Sequence, residues 1–205
     1  MHVIVNEQDY RCCCAGSNFT EGYTRCGCAG YVLPPPLYLV LAGLPASGKS
    51  TLRQEIIDAW RGHLQRVSTD DYIDSVAKAA GSTYTAVFKI AIDDAERFAN
   101  SARSGSLRIG NDIIHDQTNL TPGKRRKRLS DVPENYMKAC LFVEIDEEER
   151  QRRLKSRPGK EIPDHVDHFM TLTWERPTLV EGWDIVAPGA MWRTVLDPWS
   201  VRQAH

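Results

Sequence analysis

The chain has 205 residues, enough for one sizeable core but short for two full domains. Hydrophobic residues make up 41% and charged residues 26%, an ordinary globular composition with no apolar run long enough to span a bilayer. Formal net charge is -1, so any attraction to nucleic acid must come from local basic clusters rather than from the whole molecule's field. The start, Met1-His2-Val3-Ile4-Val5-Asn6-Glu7, lacks the basic and apolar regions of a secretory signal, which predicts a cytoplasmic protein with no membrane partner.

Five of the six cysteines lie in the first thirty residues. In a reducing compartment such grouping points to metal or redox chemistry rather than disulfides. Arg11-Cys12-Cys13-Cys14-Ala15-Gly16 is echoed by Arg25-Cys26-Gly27-Cys28-Ala29-Gly30. Two such turns facing one another would offer the thiolates of Cys12, Cys14, Cys26 and Cys28 to a structural Zn2+ with tetrahedral geometry. The spacing is not the usual C-x2-C, and a leader with incidental cysteines is the plain alternative. Pro34-Pro35-Pro36 reads as a stiff spacer, dividing a Cys-rich segment, 1–36, from a main domain, 37–205.

From Leu37 onward the pattern is α/β. Leu37-Tyr38-Leu39-Val40-Leu41-Ala42 is a continuous apolar run suited to a buried parallel strand, followed by a glycine-rich turn and a helix over 49–60. Further strands are expected at 64–68, 112–115, 140–145 and 183–186, and helices at 86–104 and 121–130. Thr121-Pro122 supplies a cap and a first-turn proline for the last of these. This alternation predicts a parallel sheet covered by helices on both faces.

The turn itself reads Gly43-Leu44-Pro45-Ala46-Ser47-Gly48-Lys49-Ser50-Thr51, a G-x4-G-K-S motif between strand and helix, the context that makes a P-loop persuasive. Its backbone N–H groups would cradle the phosphates of ATP, Lys49 would neutralise them and the Ser50 hydroxyl would ligate Mg2+. Asp70, in Ser68-Thr69-Asp70-Asp71-Tyr72 at the end of the second strand, is placed to accept the proton of an attacking hydroxyl, with Asp71 capping the next helix. Ile113-Ile114-His115-Asp116-Gln117-Thr118-Asn119 brings Asp116, Thr118 and Asn119 to the same edge.

Residues 43–51, Thr69-Asp70-Asp71-Tyr72 and Asp116-Gln117-Thr118-Asn119-Leu120 resemble the successive motifs of polynucleotide kinases and their P-loop relatives. Arg153-Leu154-Lys155-Ser156-Arg157, within a lid expected near 147–163, resembles their arginine-bearing lid. The resemblance spans about 37–186 and implies a P-loop kinase fold using ATP and Mg2+. Asp70 would be the general base, Arg157 a contact to the donor phosphates and Arg153 a second lid arginine. Arg150 and Arg152 read instead as solvated partners of Glu147, Glu148 and Glu149. One departure is Ile73, where phage polynucleotide kinases carry an arginine that grips the acceptor's phosphate. Relatives in phages phosphorylate 5-hydroxymethyluracil within DNA, and that acceptor is expected ahead of a 5′-hydroxyl end.

Lys124-Arg125-Arg126-Lys127-Arg128 is the strongest basic run. Lys124, Arg125 and Arg128 are expected, with Asp71, Asp116, Thr118 and Asn119, on the substrate side, where DNA is the expected partner. A small-molecule kinase acting on a nucleoside or antibiotic, and a nucleotide-binding regulatory protein, are the alternatives. Trp174, Trp183, Trp192 and Trp199 read as packing residues.

Overall fold

The computed structural model describes residues 11–12, 32–60 and 62–200. Arg11–Cys12 (β1) pairs antiparallel with Val32–Leu33 (β2). Cys13, Cys14, Cys26 and Cys28 lie outside the described residues, and only the backbone of Cys12 is described, so the expected zinc site falls outside them as well. Pro35 and Pro36 do not stand free as a spacer: they are buried, and the Trp199 indole donates to the Pro35 carbonyl at 2.7 Å.

Leu37–Ala42 (β3) is the centre of a five-stranded parallel sheet. Beside it run Asp112–Asp116 (β5) and then Leu64–Val67 (β4) on one side, and Met137–Phe142 (β6) and then Ile185–Pro188 (β7) on the other. Both faces of β3 are covered, which is why its sequence is continuously apolar rather than alternating. Successive side chains still point to opposite faces. Leu37, Leu39 and Leu41 pack with Leu52 and Ile56 of Lys49–Ala59 (α1) and with Leu196 and Trp199 of Trp192–Ser200 (α7). Tyr38, Val40 and Ala42 pack on the other face with Ala99 and Leu107 of Tyr84–Ile109 (α3). Each fully buried leucine contributes about 1.5–3 kcal/mol to this arrangement.

The second crossover, from β4 to β5, is elaborated. Thr69–Ala79 (α2) follows β4 and packs on α3 through Ile73, Ala77, Val87, Ala91 and Ala95. Pro122–Leu129 (α4), Glu147–Lys155 (α5) and Asp164–Thr173 (α6) complete the helices. Strand β6 begins three residues earlier than the sequence suggests, because Met137 N–H donates to Pro36 O at 2.9 Å and carries the ladder through Lys138. Trp183, Trp192 and Trp199 are buried and Trp174 partly so, as packing residues should be.

Candidate active site

The C-terminal ends of β3, β4 and β5 bring three segments together, and the first is the turn after β3. Gly43 lies at φ 148°, and a Cβ there would stand 2.5 Å from the Val143 carbonyl oxygen, so only glycine lets the loop pass the end of β6. Gly43 N–H donates to Thr118 O at 2.9 Å, tying the loop to the segment after β5. Ala46 (φ 61°) and Gly48 (φ 106°) adopt left-handed conformations, which turn successive backbone N–H groups toward a common concavity.

Lys49 opens α1, and its Nζ donates to Gly43 O at 2.8 Å and Leu44 O at 2.6 Å. Burial lowers its pKa to about 8, against the pull of Asp116 and Asp70. The Ser47 hydroxyl is buried with no hydrogen-bond partner among the described residues. An unsatisfied donor, a partly desolvated cation and a ring of backbone amides together fit a phosphate chain. Ser50, exposed in the first turn of α1 beside Thr51, is the oxygen donor suited to Mg2+, which is usually held by one or two protein groups plus phosphates and water.

The carboxylates have separate tasks. Asp70 stands in the first turn of α2 with its side chain 53% exposed, its Oδ1 accepting from Tyr84 Oη at 2.8 Å and its Oδ2 pairing with Lys160 Nζ at 2.8 Å. Desolvation raises its pKa, but Lys160, Tyr84 and Arg157 outweigh that and hold it below the usual carboxylate range. Asp116, at the end of β5, is buried. Desolvation pushes its pKa up in spite of Arg53 and Lys49. Arg53 Nη1 lies 2.9 Å from Asp116 and 3.1 Å from Asp71. Asp71 also meets Arg66 at 3.0 Å. The α2 cap is therefore not the Asp71 side chain but Ser68 Oγ, which accepts from Asp71 N–H at 3.3 Å. Two cations draw the carboxylate of Asp71 away from the helix terminus.

Helix α5 and the segment 156–161 form the opposite wall. Arg153, bound to Glu149 at 2.7 Å, reaches over the loop: its Nη1 would lie 3.6 Å from a Cβ at Gly48. The Arg157 side chain makes no hydrogen bond or ion pair with the described residues, yet its charge is felt at Lys49, Asp70 and Tyr84. Arg150 corrects the sequence reading. It is 2% exposed rather than solvated, and it grips Asp167 of α6 at 2.6 Å and Glu147 at 2.7 Å.

The segment after β5 also departs from expectation. Asn119 is buried at φ 46°, its Nδ2 donating to Leu41 O at 2.8 Å and Gln117 O at 3.2 Å. It fastens the P-loop strand to this turn, and its side chain is not presented to a substrate. Thr118 contributes its carbonyl to Gly43. Arg125 is completely buried, bound to Glu181 at 2.7 Å and to the carbonyls of Asn119, Leu120 and Glu175, so it cannot meet a nucleic-acid backbone. Arg128 is half-buried and donates to Gln117 Oε1. Lys124, Arg126 and Lys127 are the exposed members of the run. Ile73 is buried between α2 and α3, so position 73 faces helix packing rather than an acceptor.

Arg53, Tyr84 and Lys160 escape the sequence reading. Arg53 shares the P-loop helix face one turn after Lys49, a spacing that could have flagged it. Tyr84 and Lys160 carry no motif and meet Asp70 only through the tertiary fold.

A family profile described as an AAA domain matches residues 39–176. The chain belongs to that family. No curated protein matches it. Among solved structures, this AAA-domain chain is similar to a candidate kinase from Chloroflexus aurantiacus, with TM-score 0.61 and 14% identity over 81% of this chain and 98% of that one. It is also similar to a sugar kinase from Janibacter sp., with TM-score 0.52 and 18% identity over 83% of this chain and all of the other. These likenesses show a shared α/β fold. Among the described residues, no helix is long and apolar enough to cross a membrane.

Proposed function

We propose that the chain is an ATP-dependent phosphotransferase acting on an alcohol hydroxyl, and the observation that supports this is a P-loop whose Lys49 lies within electrostatic reach of both Asp70 and Arg157. The P-loop amides and Lys49 hold the β- and γ-phosphates, where little covalent work is asked of the protein beyond position and charge. Ser50 would hold Mg2+, which when bound would supply positive charge against the phosphates. Asp70 takes the proton of the acceptor hydroxyl as its oxygen attacks the γ-phosphorus. Arg153 at the loop and Arg157 near Lys49 spread positive charge over the transferred group.

The favoured acceptor is a hydroxyl of nucleic acid, specifically the hydroxymethyl group of 5-hydroxymethyluracil in DNA, with a 5′-hydroxyl end as the alternative. The exposed cations Lys124, Arg126 and Lys127 on α4 support a polyanionic substrate, and the buried Ile73 leaves a 5′-terminal phosphate without the arginine grip seen in the resembling enzymes. A small-molecule acceptor is a second reading, favoured by the cavity of about 620 Å³ lined by Asp74, Lys78, Tyr84, Arg157 and Lys160.

The test offers ATP labelled at the γ-phosphate to end-blocked DNA containing 5-hydroxymethyluracil, to 5′-hydroxyl DNA and to nucleosides or sugars. Label retained inside the polymer supports the favoured acceptor, and label at free 5′ ends or only on small molecules replaces it. No transfer to any hydroxyl, with slow hydrolysis alone, would reject the phosphotransferase reading.

A further inference from the structure

Both oxygens of Asp70 are engaged. Tyr84 Oη donates to Oδ1 at 2.8 Å, and Lys160 Nζ sits 2.8 Å from Oδ2 and 3.6 Å from Asp74. The ammonium of Lys160 also rests 3.9 Å from the centre of the Tyr84 ring and is only 17% exposed, so three contacts converge on one side chain. Its backbone is fixed with equal care. Gly159 O accepts from Thr85 N–H at 3.0 Å and from Thr85 Oγ1 at 3.1 Å, while Glu161 N–H donates to Thr85 Oγ1 at 2.9 Å. Gly159 itself stands at φ +71°, where a Cβ would lie 3.2 Å from the Cβ of Thr83. The segment after α5 is thus docked on the α2–α3 turn with its lysine aimed at the candidate base.

From this geometry we propose that Lys160 is a positioning residue that clamps Asp70 until an acceptor hydroxyl takes its place at Oδ2, so that water is a poor substitute for the acceptor. The inference rests on the reading of Asp70 as general base. The phenol and the ammonium each take one lone pair of Asp70, and the ion pair with Lys160 lowers the basicity of the oxygen it holds. An acceptor hydroxyl that takes the place of Lys160 at Oδ2 restores that basicity, and the same segment carries Arg157 three residues earlier. Displacement would couple acceptor arrival to movement of the lid arginine. Without the clamp, water attacks the γ-phosphorus, the bond to the bridging oxygen of ADP breaks, and the water proton passes to Asp70. The titratable and charged groups around Asp70 are Asp71 and Asp74 on α2, the neutral phenol of Tyr84 on α3, Lys160 and Arg157 on the docked segment, Lys49 on α1 and Asp116 on β5. Of these, only Tyr84 and Lys160 touch it.

The test is ATP hydrolysis by the whole chain without acceptor. Lys160→Met keeps the length of the side chain and removes its charge, and hydrolysis should rise roughly tenfold, a part of what a freed general base supplies. Lys160→Arg should remain close to wild type. Thr85→Val, which loosens residues 159–161 without touching Asp70, should give a smaller rise and covers the case in which Lys160→Met does not fold. The rise should vanish in Asp70→Asn/Lys160→Met. The acidic limb of hydrolysis by Lys160→Met should move to higher pH than that of the wild type, since the ammonium no longer holds the Asp70 carboxyl down and the reaction depends on that carboxyl. Hydrolysis unchanged or lowered in both Lys160→Met and Thr85→Val would overturn the clamp. Normal transfer by Asp70→Asn alone would instead overturn the base assignment on which the clamp stands.

Discussion

Arg53 and Asp116 meet at 2.9 Å beneath the P-loop, both largely removed from water, and the same guanidinium nitrogen reaches Asp71 at 3.1 Å. One side chain of α1 thereby joins the end of β5 to the start of α2. Arg53→Met would leave the buried Asp116 carboxylate without its partner, a loss of about 3–5 kcal/mol. Urea unfolding should show that loss, and Asp116→Asn in the same chain should recover much of it. A single variant as stable as the wild type would mean that solvent replaces Arg53.

Lys49 carries a pH signature. Its folded-state pKa, lowered by burial to about 8, lies below the ordinary value of 10.5. Between those values the unfolded chain binds more protons, so the stability of the wild type rises with pH across that window and carries the full cost of burying the ammonium below it. That cost is on the order of 3 kcal/mol, offset in part by the bonds to Gly43 and Leu44. Lys49→Met should abolish transfer yet match or exceed wild-type stability at neutral pH. Its relative stability should fall by pH 10, measured by urea midpoints at both values.

Arg150 and Arg157 should separate cleanly. Arg150→Ala removes the bonds that hold α5 to α6 and leaves Asp167 uncompensated, costing about 3–5 kcal/mol. The pH sign follows from the partner: Arg150 holds Asp167 below the usual carboxylate range, so this stability is present near neutrality and is lost as pH falls through the lowered value. Arg157→Ala should leave the melting temperature unchanged while slowing transfer about 10²-fold or more. Equal effects on stability from both would show that Arg157 is structural.

Gly43→Ala places a Cβ 2.5 Å from the backbone oxygen of Val143 at φ +148°. The loop must move, and nucleotide binding should weaken at least about tenfold by calorimetry, since misplaced amides no longer converge on phosphate. Unaltered affinity would mean that β6 yields instead.

Binding of DNA should weaken in Lys124→Ala/Lys127→Ala, with the salt dependence of binding reduced by about one to two released ions. Arg125→Ala should instead unfold or destabilise the domain. A variant of Arg125 that is stable but binds DNA poorly would reverse that assignment.

The sequence by itself determined the strand–loop–helix start, the P-loop residues and the alternation that makes a parallel sheet, because these rest on local backbone geometry and on burial of both faces of β3. The cap at Thr121 was legible for the same reason, since its hydroxyl needs only the N–H of Lys124 three residues on. Charge was legible only in part: Arg152 meets Glu149 as its spacing suggests, but the buried arginines find partners far along the chain. In one basic run Arg125 became a core residue bound to Glu181, fifty-six positions away, while Lys124, Arg126 and Lys127 stayed in water. Arg150, read from its acidic neighbours as solvated, is sealed against α6. Lys160 reached Asp70 only because Gly159 and Thr85 dock the segment after α5 on the α2–α3 turn. A long cationic side chain can meet any carboxylate that the fold brings within its reach, so pairing is decided by tertiary distance rather than by sequence spacing.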